Sequence, residues 1–214
     1  MLLIIHLSSN FFMDLLDIGL RSAYICITHN QITYSMSTTI FDYDRALNAF
    51  LYVANRVSRP DTHKIFKVLY FADMAHLLKY GRAITGDRYI AMKYGPVPSC
   101  VYDMVKSVSG KGLYKDPLLN AFFGVSGYMI EPLRDADKDY LSATDIEALD
   151  ESIAQNNDYD FRTMTERSHG SAWSKAWDSP IDEISVEDML EESGADKEYI
   201  DYIIDGINSE KAMC

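Results

Sequence analysis

Residues 62–81, THKIFKVLYFADMAHLLKYG, constrain the fold more than any other stretch of this 214-residue chain. Asp61 or Thr62 can cap a helix here, and Gly81 supplies a stop. Ile65, Val68, Leu69, Ala72 and His76 fall on one helical face, while Phe66, Phe71, Leu77 and Leu78 extend the apolar surface beyond a single stripe. A helix apolar over so much of its circumference is normally central to a bundle, because one packed face cannot bury it. The rest of the chain must therefore wrap around this helix.

The flanking patterns fit that demand. Asp42 or Asp44 can cap a helix through residues 44–57, with Ala46, Phe50, Val53 and Val57 at three- and four-residue steps and Pro60 closing it. Residues 88–95, RYIAMKYG, alternate and predict a strand. In SCVYDMVKSVSG, Val101, Met104, Val105 and Val108 return to helical spacing, with Gly110 as stop. GVSGYMIEPL reads as a second short strand bounded by Gly127 and Pro132. Beyond residue 135 the chain turns acidic and helical. Ser142 and Asp145 resemble a capping box, a helix breaks near Gly170, Ser185 can cap VEDMLEES, and a last helix points Tyr199, Tyr202, Ile203 and Ile207 inward. The expected fold is mainly α (α+β): one compact helical domain from residue 36 to 214 with a small two- or three-stranded sheet.

Charge is unevenly spread. Residues 37–130 carry 12 Lys/Arg against 7 Asp/Glu, a balance of +5, and residues 131–210 carry 6 against 23, a balance of −17. The second part would repel nucleic acid, and it can either solubilise the chain or recruit a basic protein surface. Cys26, Cys100 and Cys214 lie far apart without C-x-x-C spacing, which fits a reducing cytoplasm rather than a disulfide framework. Residues 1–35 begin apolar but lack a basic n-region, and no apolar run reaches the length of a membrane span. They read as an N-terminal extension or over-extended start, with a natural soluble start near Met36.

Chemistry-bearing patterns are sparse. In Tyr94-Gly95-Pro96-Val97-Pro98 two prolines remove the N–H donors a phosphate cradle requires, and no G-x-G-x-x-G or Walker-type lysine is present. The stretch reads better as a rigid corner that stops a strand at Tyr94 and launches a helix near Ser99, with partner contact as the other reading. Asp73 and His76 could meet at i and i+3, but His63 and His76 are too far apart to share an ion, so neither a metal nor another cofactor is expected. Cys100 stands near a helix start that would favour a thiolate, with His63 or His76 as a conceivable partner, yet cysteine also fills such sites as a small apolar residue. The paired carboxylates Asp182-Glu183 and Glu187-Asp188 look solvated. A basic stripe of Lys64, Lys67, Lys79, Arg82, Arg88 and Lys93, interleaved with Tyr70, Tyr80, Tyr89 and Tyr94, could hold a phosphate backbone. Nothing in the sequence demands an enzyme.

Two blocks carry a family resemblance. Lys64, Lys67, Leu69, Tyr70 and Phe71 on the long helix, then Gly81 and Ile84 in a turn, then Tyr94, Gly95, Pro96, Val97 and Tyr102 resemble the core signature of the Panacea domain, also called SocA-like or phage-associated GepA-like. Ser168, His169 and Trp173 look like its terminal Thr/Ser-His and Trp element. Phe66 stands where the family often has Gln, and Thr85-Gly86-Asp87 replaces a Phe-containing turn. The resemblance spans roughly residues 43–180 and implies a small, non-enzymatic, cytoplasmic domain of bacterial or phage origin. Such domains act as antitoxins of type II toxin–antitoxin pairs that bind a cognate toxin directly. One branch is a proteolytic adaptor that delivers the toxin to a cytoplasmic protease. The residues expected at the partner-binding surface are Lys67, Tyr70, Tyr94, Pro96, Val97, Tyr102, His169 and Trp173. A nucleic-acid-binding regulator using the Lys64–Lys93 stripe is the competing class; neither nucleic acid nor membrane is the expected partner.

Overall fold

In the computed structural model, residues 41–113 and 115–213 are described; the expectation for residues 1–35 lies outside them. The elements are α1 (Tyr43–Ala54), α2 (Thr62–Tyr80), β1 (Tyr89–Met92), β2 (Gly95–Pro98), α3 (Ser99–Val108), β3 (Phe123–Ser126), β4 (Met129–Pro132), α4 (Ala143–Asn156), α5 (Phe161–Ser168), α6 (Ser171–Trp177), β5 (Glu183–Ile184), α7 (Val186–Glu192) and α8 (Lys197–Met213), with short 3-10 turns at Pro117–Ala121 and Lys138–Tyr140.

The long helix is central, as its pattern demands. Two apolar clusters share it. Ile65, Phe66, Val68, Leu69 and Ala72 pack into a cluster with α1, α3, α4 and the β3–β4 hairpin, where Phe50 and Phe123 meet at 4.9 Å. Tyr70, Met74 and Leu77 pack into a second cluster with β1, α6, α7 and α8, and Phe71 borders both. The two clusters claim different sides of α2, which is why its apolar residues form no single stripe. Asp61 caps its first turn by accepting from Lys64 N at 2.8 Å, and Gly81 ends it at φ +73°. The other cap sites are used as expected: Asp42 on α1, Ser142 and Asp145 as a reciprocal box on α4, and Ser185 on α7.

The strands depart from expectation in an instructive way. Gly95–Pro98 is not a corner between strand and helix but the return strand of a hairpin, antiparallel to β1 with Ala91 opposite Pro96 and Tyr89 opposite Pro98. β5, unforeseen among acidic residues, pairs with the other side of β1, giving the order β2-β1-β5. Ala91 N donates to Asp182 O at 2.7 Å, so the Ala91–Pro96 pair directs its backbone polar groups away from the β1–β2 seam. Prolines at alternate positions of an edge strand therefore cost the ladder nothing, and they strip donors from its open edge. GVSGYMIEPL likewise forms part of a complete hairpin, β3–β4, folded at Gly127 (φ +64°) and Tyr128 rather than one strand. Thr62 N donates to Tyr128 O at 2.9 Å, tying that turn to the start of α2.

The last helix also corrects a detail. Tyr202 is 72% exposed and Ile200 is buried in its place beside Ile203. Tyr199 is half-buried and donates its hydroxyl to Leu78 O at 2.9 Å.

Candidate functional site

Two lysines on α2 turn inward, three residues apart. Lys64 Nζ donates to Asn156 O at 2.8 Å, to Asn157 O at 2.9 Å and to Tyr159 O. A cation on the terminal carbonyls of α4 is the favourable end of the helix dipole, and the three bonds fix the loop that leads to α5. Lys67 is 1% exposed, and its Nζ donates to Pro96 O at 2.8 Å. Among the described residues no carboxylate lies within 4 Å of it. Burial favours the neutral amine and pulls its pKa down to about 7.

Gly95 makes this approach possible. Its φ is +95°, and a Cβ there would lie 2.3 Å from Ser168 Oγ and 2.7 Å from Lys67 Cε. Only glycine combines that backbone with that clearance. The family-like residues Lys67, Gly95, Pro96 and Ser168, distant in sequence, are thus joined at one point.

Above this point opens a groove of about 790 Å³. Lys64 and Lys67 lie along its base. Tyr94, Val97 and Tyr102, from the hairpin and α3, form one wall, and Asn157 to Phe161 form the other; residues 58–63 and Tyr128 also line it. Tyr94 and Phe161 meet edge-on at 5.4 Å, and both are about half exposed. His63 stacks near Phe161 at 4.1 Å, and its Nε2 lies 3.1 Å from Thr165 Oγ1. Burial first, then the Lys67 charge, lower the His63 pKa to about 4, so the ring is neutral at pH 7.

The expected partner-binding residues separate into three groups. Lys67, Tyr94, Val97 and Tyr102 line the groove, while Pro96 is buried beside it and supplies the carbonyl that holds Lys67. Tyr70 belongs to the core: it is 0% exposed, its ring packs on Tyr89 at 5.0 Å, and burial raises its pKa. Its hydroxyl has no hydrogen-bond partner among the described residues. His169 and Trp173 stack on each other at 3.7 Å, and Trp173 Nε1 donates to Met92 O at 3.0 Å, so they brace β1 outside the groove lining. The pattern reading missed His63, Tyr128, Tyr159 and Phe161 as lining residues. His63 stands four residues before Lys67 and was legible by helical spacing; Tyr128, Tyr159 and Phe161 sit on turns and a helix start whose placement needs the tertiary fold.

Other chemistry-bearing residues are committed elsewhere. Asp73 accepts from Ile84 N, Thr85 N, Thr85 Oγ1 and Tyr89 Oη, whereas His76 meets Arg82 O, Thr144 Oγ1 and Asp145, so the i, i+3 pair does not form a site. Cys100 is buried at the start of α3, where Asp87 accepts from the Cys100 and Val101 N–H groups, each at 2.9 Å. The carboxylate occupies the helix end that would otherwise favour a thiolate. Burial raises the Asp87 pKa to about 6 despite those bonds. No group of three or more His, Cys, Asp or Glu among the described residues could hold a metal ion. In the basic stripe, Lys79 pairs with Glu147 at 2.6 Å, Arg82 with Asp145 at 2.8 Å and Arg88 with Glu183 at 3.4 Å, while Lys93 lies over the Tyr94 ring. No helix among the described residues is long and apolar enough to cross a membrane.

Comparison with known proteins adds one finding. No curated protein and no solved structure matches the chain. The model of the family described as "Antitoxin SocA-like, Panacea domain" matches residues 65–174. That span runs from α2 through the hairpin and groove walls to Trp173 and α6, more than half of the chain. By that match, the chain belongs to the SocA-like Panacea antitoxin family.

Proposed function

We propose that this chain neutralises a cognate toxin of a type II toxin–antitoxin pair by direct contact, with the groove above Lys67 as the principal docking site. The observation that carries the reading is convergence. Segments within the family match, α2, the β1–β2 hairpin, α3 and the α4–α5 loop, meet around one groove whose walls expose aromatic rings. Half-exposed aromatics on a rigid frame are the groups that dominate protein–protein binding energy. The hairpin lends rigidity, since its prolines leave little backbone entropy to lose on docking.

The acidic second part supports the same reading at longer range, because a field of that sign attracts a basic toxin surface. A nucleic-acid regulator has less support. Lys64 spends its ammonium on three backbone carbonyls, Lys67 is only 1% exposed, and Lys79, Arg82 and Arg88 pair with carboxylates of the same chain.

Co-expression with a small toxin-like frame encoded beside this chain is expected to restore growth. The double variant Tyr94→Ala/Phe161→Ala is expected to weaken toxin binding about tenfold or more, measured by titration calorimetry, while circular dichroism stays unchanged. A wild-type chain that neither binds nor rescues would overturn the reading.

A further inference from the structure

We infer that the groove reads an acidic side chain, flanked by basic residues, on an extended segment of the toxin. This rests on the antitoxin reading for the identity of the partner, and on four features of the groove for the chemistry of the segment.

The first is Lys67 itself. It carries three N–H donors, one of which is met by Pro96 O, and no carboxylate of the described chain lies within ion-pair distance. Its neighbour Lys64 is built differently: three backbone carbonyls occupy its ammonium. Two buried lysines three residues apart, Lys67 the deeper, thus have opposite roles. Lys64 completes the fold, and Lys67 keeps donors for something else. Burial of Lys67 without a counter-charge is unfavourable and shows in its lowered pKa. An entering carboxylate removes that penalty and forms a charge-assisted bond in a water-poor setting.

The second feature is the rim. Asp158 and Asp160 are exposed on the far wall, while Asp61, at the α2 end, is paired with Arg59 at 3.1 Å. Asp158 and Asp160 would repel a uniformly acidic segment, whereas one with basic residues beside its acid matches the buried amine and this anionic wall.

The third feature is the β2 edge. Pro96 and Pro98 offer no N–H, and Pro96 O is taken by Lys67, so strand addition is blocked and the segment is read by its side chains. The fourth is the aromatic lining: Tyr102 and the edge-on pair Tyr94 and Phe161 offer apolar ring surface suited to the apolar stems that bracket the acid.

The test uses the full chain and a panel of end-capped, dye-labelled peptides of the form Lys-X-Glu-X-Lys, with X as Phe, Leu or Tyr, each beside its Gln counterpart. Fluorescence anisotropy is expected to show Glu peptides binding at least about tenfold more tightly than their Gln partners, the scale of one charge-assisted bond. Lys67→Met is expected to erase that preference. Tyr94→Ala, a change at an exposed side chain that leaves the core intact, is expected to weaken Glu and Gln peptides alike. No preference for Glu in any pair, or a preference that survives in folded Lys67→Met, overturns the inference. The two readings fail separately. A Lys67→Met chain that still binds and neutralises the toxin at wild-type strength sinks the carboxylate site and leaves the antitoxin role standing. Failure of the wild-type chain to bind toxin sinks the role, whatever the peptides do.

Discussion

Lys67 shows how one residue can be a family marker and an energetic burden together. Its stem fills space beside Gly95, its ammonium holds the hairpin through Pro96 O, and burial lowers its pKa to about 7. Between that value and the ordinary lysine pKa, near 10.4, the folded chain binds fewer protons than the unfolded one. Stability from this group is therefore complete above the unfolded pKa and is lost as pH falls through about 7. Urea unfolding from pH 7 to 10 is expected to show wild-type stability rising relative to Lys67→Met, by at most about 1.4 kcal/mol per pH unit. A difference that stays flat over that range would mean that the amine carries its proton in the folded state. The residue itself was legible from the sequence as part of a motif, but its burial was not. Lysine at a helical position normally snorkels outward, and only the close pass of a glycine strand turns this one in.

At the level of elements, helices were easier to read than strands. Caps at Asp42, Asp61, Ser142 and Ser185 are local, because a side chain bonds a backbone N–H three residues on, and the sequence shows both partners. The strands here are two to four residues long and gain their identity from pairing across the chain. Gly95–Pro98 reads as a corner in isolation and becomes a strand only beside β1, and Glu183–Ile184 is a strand only because Tyr89 and Ile90 lie opposite. On α8 the helix was visible but its inward face was not, since Tyr202 and Ile200 compete for the core and tertiary contacts decide. Ile200→Ala is expected to cost about 2–4 kcal/mol in chemical denaturation, as a core truncation does. Tyr202→Ala is expected to stay within about 0.5 kcal/mol. Reversal of that order would mean that the face is the one the spacing alone suggests.

Across the whole molecule, charge and packing divide the labour. The acidic balance of residues 131–210 is a property of composition and acts over a Debye length, without needing a defined site. Stopped-flow association of the chain with its toxin is expected to slow as salt rises from 50 to 500 mM, by about tenfold or more, while dissociation changes little. An association rate indifferent to salt would remove the electrostatic part of the proposal.

The sequence by itself determined a mainly helical domain around residues 62–81, its caps, its charge asymmetry and its family, because each of these is written in local spacing or composition. Only the tertiary structure decided that Gly95–Pro98 is an edge strand, that Tyr70 is core, that His169 and Trp173 brace β1, and that Lys67, Tyr94, Val97 and Tyr102 share a groove. These depend on which segments approach one another, and a buried lysine 2.8 Å from a carbonyl 29 positions away is set by packing rather than by its neighbours in the chain.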